Sequence, residues 1–135
     1  MDEDPQKAFA VTQNIISAHP NIKAIMSNVS TGLGPIGKAI EQEGKIGQVY
    51  ATGQSTPQLA KPVLESGAAE SAVLWDPGDW AAFATTIAAN LVDGVEMPEG
   101  NPNIDGFPDA TRQGDVFYFW KTLVFTKDNV DQFDF

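Results

Sequence analysis

The sequence predicts an α/β fold, a three-layer Rossmann-like parallel sheet with flanking helices. Three observations carry this. Short apolar runs of strand length alternate with helical patterns. The centres of the first three runs, Ile25, Tyr50 and Val73, lie 25 and 23 residues apart, a spacing that fits parallel strands joined by right-handed crossovers. Two helices open on cap-and-proline signals, Asp4-Pro5 and Thr56-Pro57, which suit the free amides and fixed φ of a first turn.

Each element follows from its residues. Asp4-Pro5 starts a helix whose inward positions are Ala8, Val11, Ile15 and Ala18, and His19-Pro20 stops it. Residues 23–27 (KAIMS) form the first strand, and a polar loop leads to Gly34-Pro35 and a helix facing inward through Ile36, Ala39 and Ile40, capped by Gly44. Residues 48–52 (QVYAT) form the second strand. The helix that Thr56 opens ends near Gly67, and Pro62 is expected to kink or divide it. Residues 70–75 (ESAVLW) form the third strand. A cap at Asp79 then opens a helix with Trp80, Phe83, Ile87 and Leu91 on one face, ended by Asp93-Gly94. From Met97 to Asp115 the abundance of Pro, Gly, Asn and Asp predicts a long surface loop. Residues 116–120 and 123–125 read as two aromatic strands, and 128–133 as a helical turn or tail. The domain reading is an α/β lobe portion over 1–94 and a loop with C-terminal strands over 95–135, packing on the lobe or on a partner chain.

Composition narrows the function. The 135 residues suffice for one domain with a real core. Eighteen acidic against eight basic residues give a net charge of −10, which repels a phosphate backbone and argues against nucleic acid as a partner. With no cysteine there is no thiolate nucleophile or thiolate zinc site, and His19 alone cannot supply a two-imidazole site. The acidic start, Met1 to Asp4, has neither a basic nor an apolar segment of an export signal.

Ligands of open parallel sheets bind at the carboxyl ends of the strands. Three loops meet that rule: Ser27, Asn28, Ser30 and Thr31; Gln54, Ser55 and Thr56; Trp75, Asp76, Asp79 and Trp80. Amides, hydroxyls, carboxylates and indoles suit a small polyol, whose hydroxyls need partners when buried and whose C–H faces stack on rings. The same residue types also serve as caps and turn formers. Gly32, Gly34 and Gly37 spell a dinucleotide fingerprint. Three features count against it: the loop before Gly32 is long, Pro35 removes an amide, and Thr52 and Gln54 stand where a ribose-holding acid belongs. Asp76 and Asp79 are more simply structural than a catalytic pair, and the acidic stretch from Asp93 to Asp115 lacks a calcium-loop pattern. No enzyme activity, cofactor or metal is expected.

The stretches AHPNIKAIMSN (18–28), ATGQSTPQLAKPVLESGAAESAVLWDP (51–77) and VFTKDNVDQFDF (124–135) resemble the type I periplasmic sugar-binding proteins of ABC transporters, in the branch that includes autoinducer-2-binding and rhamnose-binding proteins. With the intervening helices the resemblance covers nearly the whole chain. It implies a partial periplasmic-binding-protein lobe with a C-terminal β extension. It also implies a small sugar or autoinducer-2-like ligand at Asn28, Ser30, Gln54, Trp75 and Asp76, with the last two in a hinge region. Gln54 departs from the pattern, placing an amide where many sugar binders carry an aspartate.

The resemblance is to the last part of a two-lobed protein more than twice as long, so the chain is expected to be truncated. The implied location is periplasmic, or cytoplasmic if this chain is the full gene product. A membrane permease is expected as a partner only of a complete binding protein. Trp80, Phe83, Ile87, Leu91 and the aromatics of 117–120 would lack the cover of the first lobe. That predicts a homo-oligomer, by exchange of the C-terminal segment as one route, or a missing-lobe partner. The alternative function is a non-catalytic oligomeric or interaction protein, derived from a sugar-binding lobe with a vestigial cleft. A small Rossmann-like enzyme is the third reading.

Overall fold

The computed structural model describes residues 4–135. Met1, Asp2 and Glu3, the acidic start of the chain and of the predicted 1–94 lobe, lie outside them. The chain divides into two compact units: the first comprises residues up to Leu74 together with Val124–Phe135, and the second is Trp75–Leu123.

In the first unit, α1 (Pro5–Ala18) begins where Asp4 accepts hydrogen bonds from the amides of Gln6 and Lys7. Its buried stripe is Ala8, Thr12 and Ile16 rather than Ala8, Val11, Ile15 and Ala18. Thr12 can be buried because its hydroxyl donates to the Ala8 carbonyl at 2.8 Å, and that rotates the inward face past Val11. Strand β1 (Ala24–Ser27) leads to α2 (Leu33–Gln42), whose Leu33, Ile36, Ala39 and Ile40 are fully buried. Each such Leu or Ile removed from water contributes about 1.5–3 kcal/mol. The chain leaves α2 through Gly44, as expected. Strand β2 (Tyr50–Gly53) pairs with β1 in parallel, in the register Ala24↔Tyr50 to Ser27↔Gly53.

Thr56 caps α3 (Pro57–Glu65) by accepting from the Leu59 amide. Pro62 lies inside α3 without dividing it, because only the closing turn follows. Strand β3 (Ala72–Trp75) is tied to the β2 segment by parallel bridges at Ala51↔Ala69 and Gln54↔Val73.

The second unit opens with α4 (Pro77–Val92). Asp76, not Asp79, is its cap: the Asp76 Oδ1 accepts from the amides of Gly78 (2.7 Å) and Asp79 (3.2 Å). Of the expected apolar face only Phe83 is buried, while Trp80 and Leu91 are exposed. The stretch from Met97 to Asp115 is not a plain surface loop. Its Met97, Ile104, Phe107 and Ala110 close over Phe83 as a core, joined by Ile87, Phe117 and Phe119. Strand β4 (Thr111–Gln113) forms an antiparallel hairpin with β5 (Val116–Tyr118). The predicted boundary at 94/95 therefore falls inside the second unit, because α4 finds its core in the residues that follow it.

Strand β6 (Thr122–Phe125) pairs with β3, and a 3₁₀ turn at Val130–Gln132 follows. Within the first unit Phe125 is fully buried, with its ring 4.8 Å from that of Phe133. Lys61 of α3 binds Asp131 of the turn at 2.5 Å. Among the described residues no helix is long and apolar enough to cross a membrane.

Candidate ligand-binding site

The carboxyl ends of the three parallel strands are held in line by main-chain bonds. The Ser27 carbonyl accepts from the Gln54 amide at 2.9 Å, and the Val73 carbonyl accepts from the Ser55 amide at 3.1 Å. These bonds bring the loop after β1 beside the loop after β2. The close approach needs Gly53: at φ +123°, a Cβ there would lie 1.9 Å from the Ser27 carbonyl oxygen.

Within this edge the residues divide by role. Ser27 is buried, and its hydroxyl donates to the Val29 carbonyl at 2.8 Å and accepts from the Val29 amide, so it shapes the first loop. Asn28 is exposed and Ser30 half-buried, and neither side chain has a hydrogen-bond partner among the described residues. Gln54 is half-buried with its amide side chain equally uncommitted. Thr56 is used as a cap. Ser55 is fully buried, and its hydroxyl has no partner among the described residues. In the first unit Asn28 and Ser30 thus lie in the loop after β1 and Gln54 in the loop after β2, which the Gln54–Ser27 bond joins, and neither loop carries a carboxylate.

Trp75 and Asp76 belong to the second unit. Trp75 ends β3 with 44% of its surface exposed. Asp76 commits one carboxylate oxygen to the amides that start α4. Asp79, freed from capping, accepts from the Lys121 ammonium. Trp80 packs edge-on against Phe83 and Phe119 with ring centres 6.4 and 6.2 Å away, so it serves this unit's aromatic packing.

Two of the three glycines of the apparent dinucleotide fingerprint, Gly32 and Gly37, have packing reasons, whereas a Cβ at Gly34 would meet open space. A Cβ at Gly32 would lie 2.2 Å from the Ser27 hydroxyl oxygen, and one at Gly37 would lie 2.4 Å from a Val63 methyl on α3. A groove of about 520 Å³ between α1 and α2 contains none of the predicted residues. It is lined by the apolar Pro5, Phe9 and Pro35 and by the polar Gln6, Lys38 and Gln42, and it lies away from the carboxyl ends of the strands, where ligands of open parallel sheets bind. Among the described residues no cluster of three His, Asp or Glu side chains could hold a metal. Sequence reasoning missed Gly53 and Lys121. A strand-ending glycine gives a faint signal, but nothing local marks a lysine whose partner lies 42 residues away.

Comparison with known proteins gives a consistent picture. Residues 1–96 match the model of a periplasmic binding protein domain. The chain is similar to the D-allose-binding periplasmic protein of Escherichia coli, with 32% identity over 81 residues, which is 60% of this chain and 26% of that protein. In structure it is similar to a sugar ABC transporter protein from Actinomyces odontolyticus, with TM-score 0.83 and 25% identity, covering 99% of this chain and 44% of that one. It is similar also to LsrB from Clostridium saccharobutylicum in complex with AI-2, with TM-score 0.76 and 25% identity, covering 98% and 46% of the two chains. The chain thus spans between about a quarter and a half of the length of these proteins.

Proposed function

The chain belongs to the periplasmic binding protein family, a family of solute-binding proteins rather than enzymes, and on that premise we propose that it is part of the sugar-binding component of an ABC transporter. Its ligand is a small sugar or an autoinducer-2-like molecule, held by Asn28, Ser30 and Gln54 with Trp75 and Asp76. One observation carries the reading. The bond from the Gln54 amide to the Ser27 carbonyl joins the loops after β1 and β2 at the end of a parallel sheet, and the side chains of Asn28, Ser30 and Gln54 in those loops have no partner among the described residues. The D-allose-binding relative and the AI-2 complex of LsrB support the ligand class. The amide at 54 in place of an aspartate weakens the case for any one sugar. The site works in the periplasm, and a membrane permease engages it when the binding protein is complete.

The test is calorimetry of this chain with D-allose, L-rhamnose and AI-2. In the family two lobes close over the ligand, and losing four hydrogen bonds at about 1 kcal/mol each costs roughly a thousandfold in affinity. Millimolar binding is therefore expected. Micromolar binding by the chain alone would overturn the two-sided site, and no response at tens of millimolar would overturn the sugar reading.

A second reading is an oligomeric interaction protein with a vestigial cleft. It is favoured by Leu91 at 64%, Val92 at 86% and Trp120 at 76% exposure, an apolar surface of the kind that marks interfaces. Light scattering at micromolar concentration separates the two readings: a dimer that dissociates in Leu91→Glu supports the second, and a strict monomer removes it.

A further inference from the structure

In the second unit the start of α4 carries two carboxylates three residues apart, and they have different partners. Asp76 Oδ1 accepts from the Gly78 and Asp79 amides, and its Oδ2 has no partner among the described residues. Asp79 Oδ2 accepts from Lys121 Nζ. In a capping box a Glu or Gln three residues after a Ser or Thr cap reaches back to the cap's own amide. Asp79 stands at that position of α4, and its carboxylate is bound by Lys121 instead. The two segments also lie at neighbouring points in the chain path. Asp79 follows Trp75, where β3 passes into the second unit, and Lys121 precedes Val124, where β6 returns to the first; β3 and β6 are paired strands.

We propose that Lys121 is a positioning residue for the ligand segment Trp75–Asp76. By holding Asp79 it leaves Asp76 as the sole carboxylate cap of α4, with Asp76 Oδ2 available to a ligand hydroxyl. This rests on the sugar-binding reading above. The Lys121 ammonium is held above the usual lysine value by its hydrogen bond to Asp79, opposed in part by burial and aided by the charges of Asp79 and Asp76, so the cation senses both carboxylates. Without it two like charges would share one helix start. That start favours negative charge, but its first turn offers only a few free amides.

The experiment compares D-allose and L-rhamnose binding by the wild-type chain, by the single variants Lys121→Met, Lys121→Arg and Asp76→Asn, and by the double variant that combines Lys121→Met with Asp76→Asn, with a melting curve for each. The expected result is a threefold to fivefold loss of affinity in Lys121→Met, the scale of an exposed ion pair. Lys121→Arg should restore it, and the melting temperature should stay the same within about a degree. The loss should vanish on the Asp76→Asn background, because Lys121 acts through Asp76 Oδ2; a purely structural lysine would give additive losses. If the wild type binds a sugar and Lys121→Met binds it equally well, the inference is overturned and the sugar reading stands. If the losses add, the inference is likewise overturned. If neither sugar binds the wild type at tens of millimolar, the sugar reading fails and this inference fails with it.

Discussion

Gly53 faces Ser27 across the β1–β2 ladder so closely that a Cβ at 53 would lie 1.9 Å from the Ser27 carbonyl oxygen, with φ at +123°. The same carbonyl accepts the Gln54 amide, so one contact sets both the strand ends and the second ligand loop. Gly53→Ala must meet a steric clash and a backbone conformation that L residues avoid. It should lower stability by roughly 2–4 kcal/mol in urea unfolding. Amide exchange should show the loss concentrated at the carboxyl ends of β1 and β2. A variant as stable as wild type would mean that the strand ends shift apart freely.

Asn28 and Gln54 offer the opposite test, since their side chains hold nothing within the described residues. Replacing either with Ala should leave stability within about 0.5 kcal/mol of wild type. If the loops bind a polyol, each replacement removes a ligand hydrogen bond and weakens binding by about fivefold to tenfold. Calorimetry with D-allose beside a melting curve separates the two effects. Equal binding by both variants would move the ligand contacts elsewhere.

Much of the first unit is legible in the sequence because its signals are local. Asp4-Pro5 and Thr56-Pro57 mark helix starts, and Ile36, Ala39 and Ile40 repeat at helical spacing. Asp76 and Asp79 are harder: both types cap helices, and only the hydrogen bonds distinguish the cap from the partner of Lys121. The inward face of α1 differs by one position from its apolar pattern because a threonine is apolar enough to bury once its hydroxyl bonds the preceding turn. The stretch from Met97 to Ala110 departs furthest from expectation. Its Pro, Gly and Asn residues signal turns correctly. Ile104, Phe107 and Ala110 recur every three residues, but they sit among turn formers with no helix or strand to carry the pattern, so nothing local announces that they and Met97 close over Phe83. The first-loop polar residues are legible from the rule of strand ends, whereas the close approach of Gly53 to Ser27 emerges only with the register.

Phe83 is the sole buried residue of α4, and its ring centre lies 5.0 Å from Phe107 and 5.3 Å from Phe119. Phe83→Ala removes the centre of this aromatic group, and such truncations cost about 3–5 kcal/mol. The loss should stay within the second unit, whose core is separate from the buried set of α2 and α3. Amide exchange should therefore accelerate in residues 77–118 while α2 and β2 keep their protection. Uniform acceleration across the chain would show instead that the two units unfold as one.

Lys61 ties α3 to the C-terminal turn through Asp131 at 2.5 Å, with Glu65 at 3.9 Å on its own helix. The hydrogen bond to Asp131, and then the charge of Asp131, raise the lysine above its usual value of 10.5. A group whose folded pKa is raised binds its proton more tightly in the folded state. The stabilisation is thus complete below the unfolded value and is lost as pH rises through the folded one. The pair is exposed and its contribution is modest, but its pH signature is specific. Melting curves of the wild type and Lys61→Met should differ at pH 8 and converge once the pH passes above the lysine's raised value. A difference that persists there would show that the lysine acts through its aliphatic stem rather than through the charge that holds the tail on α3.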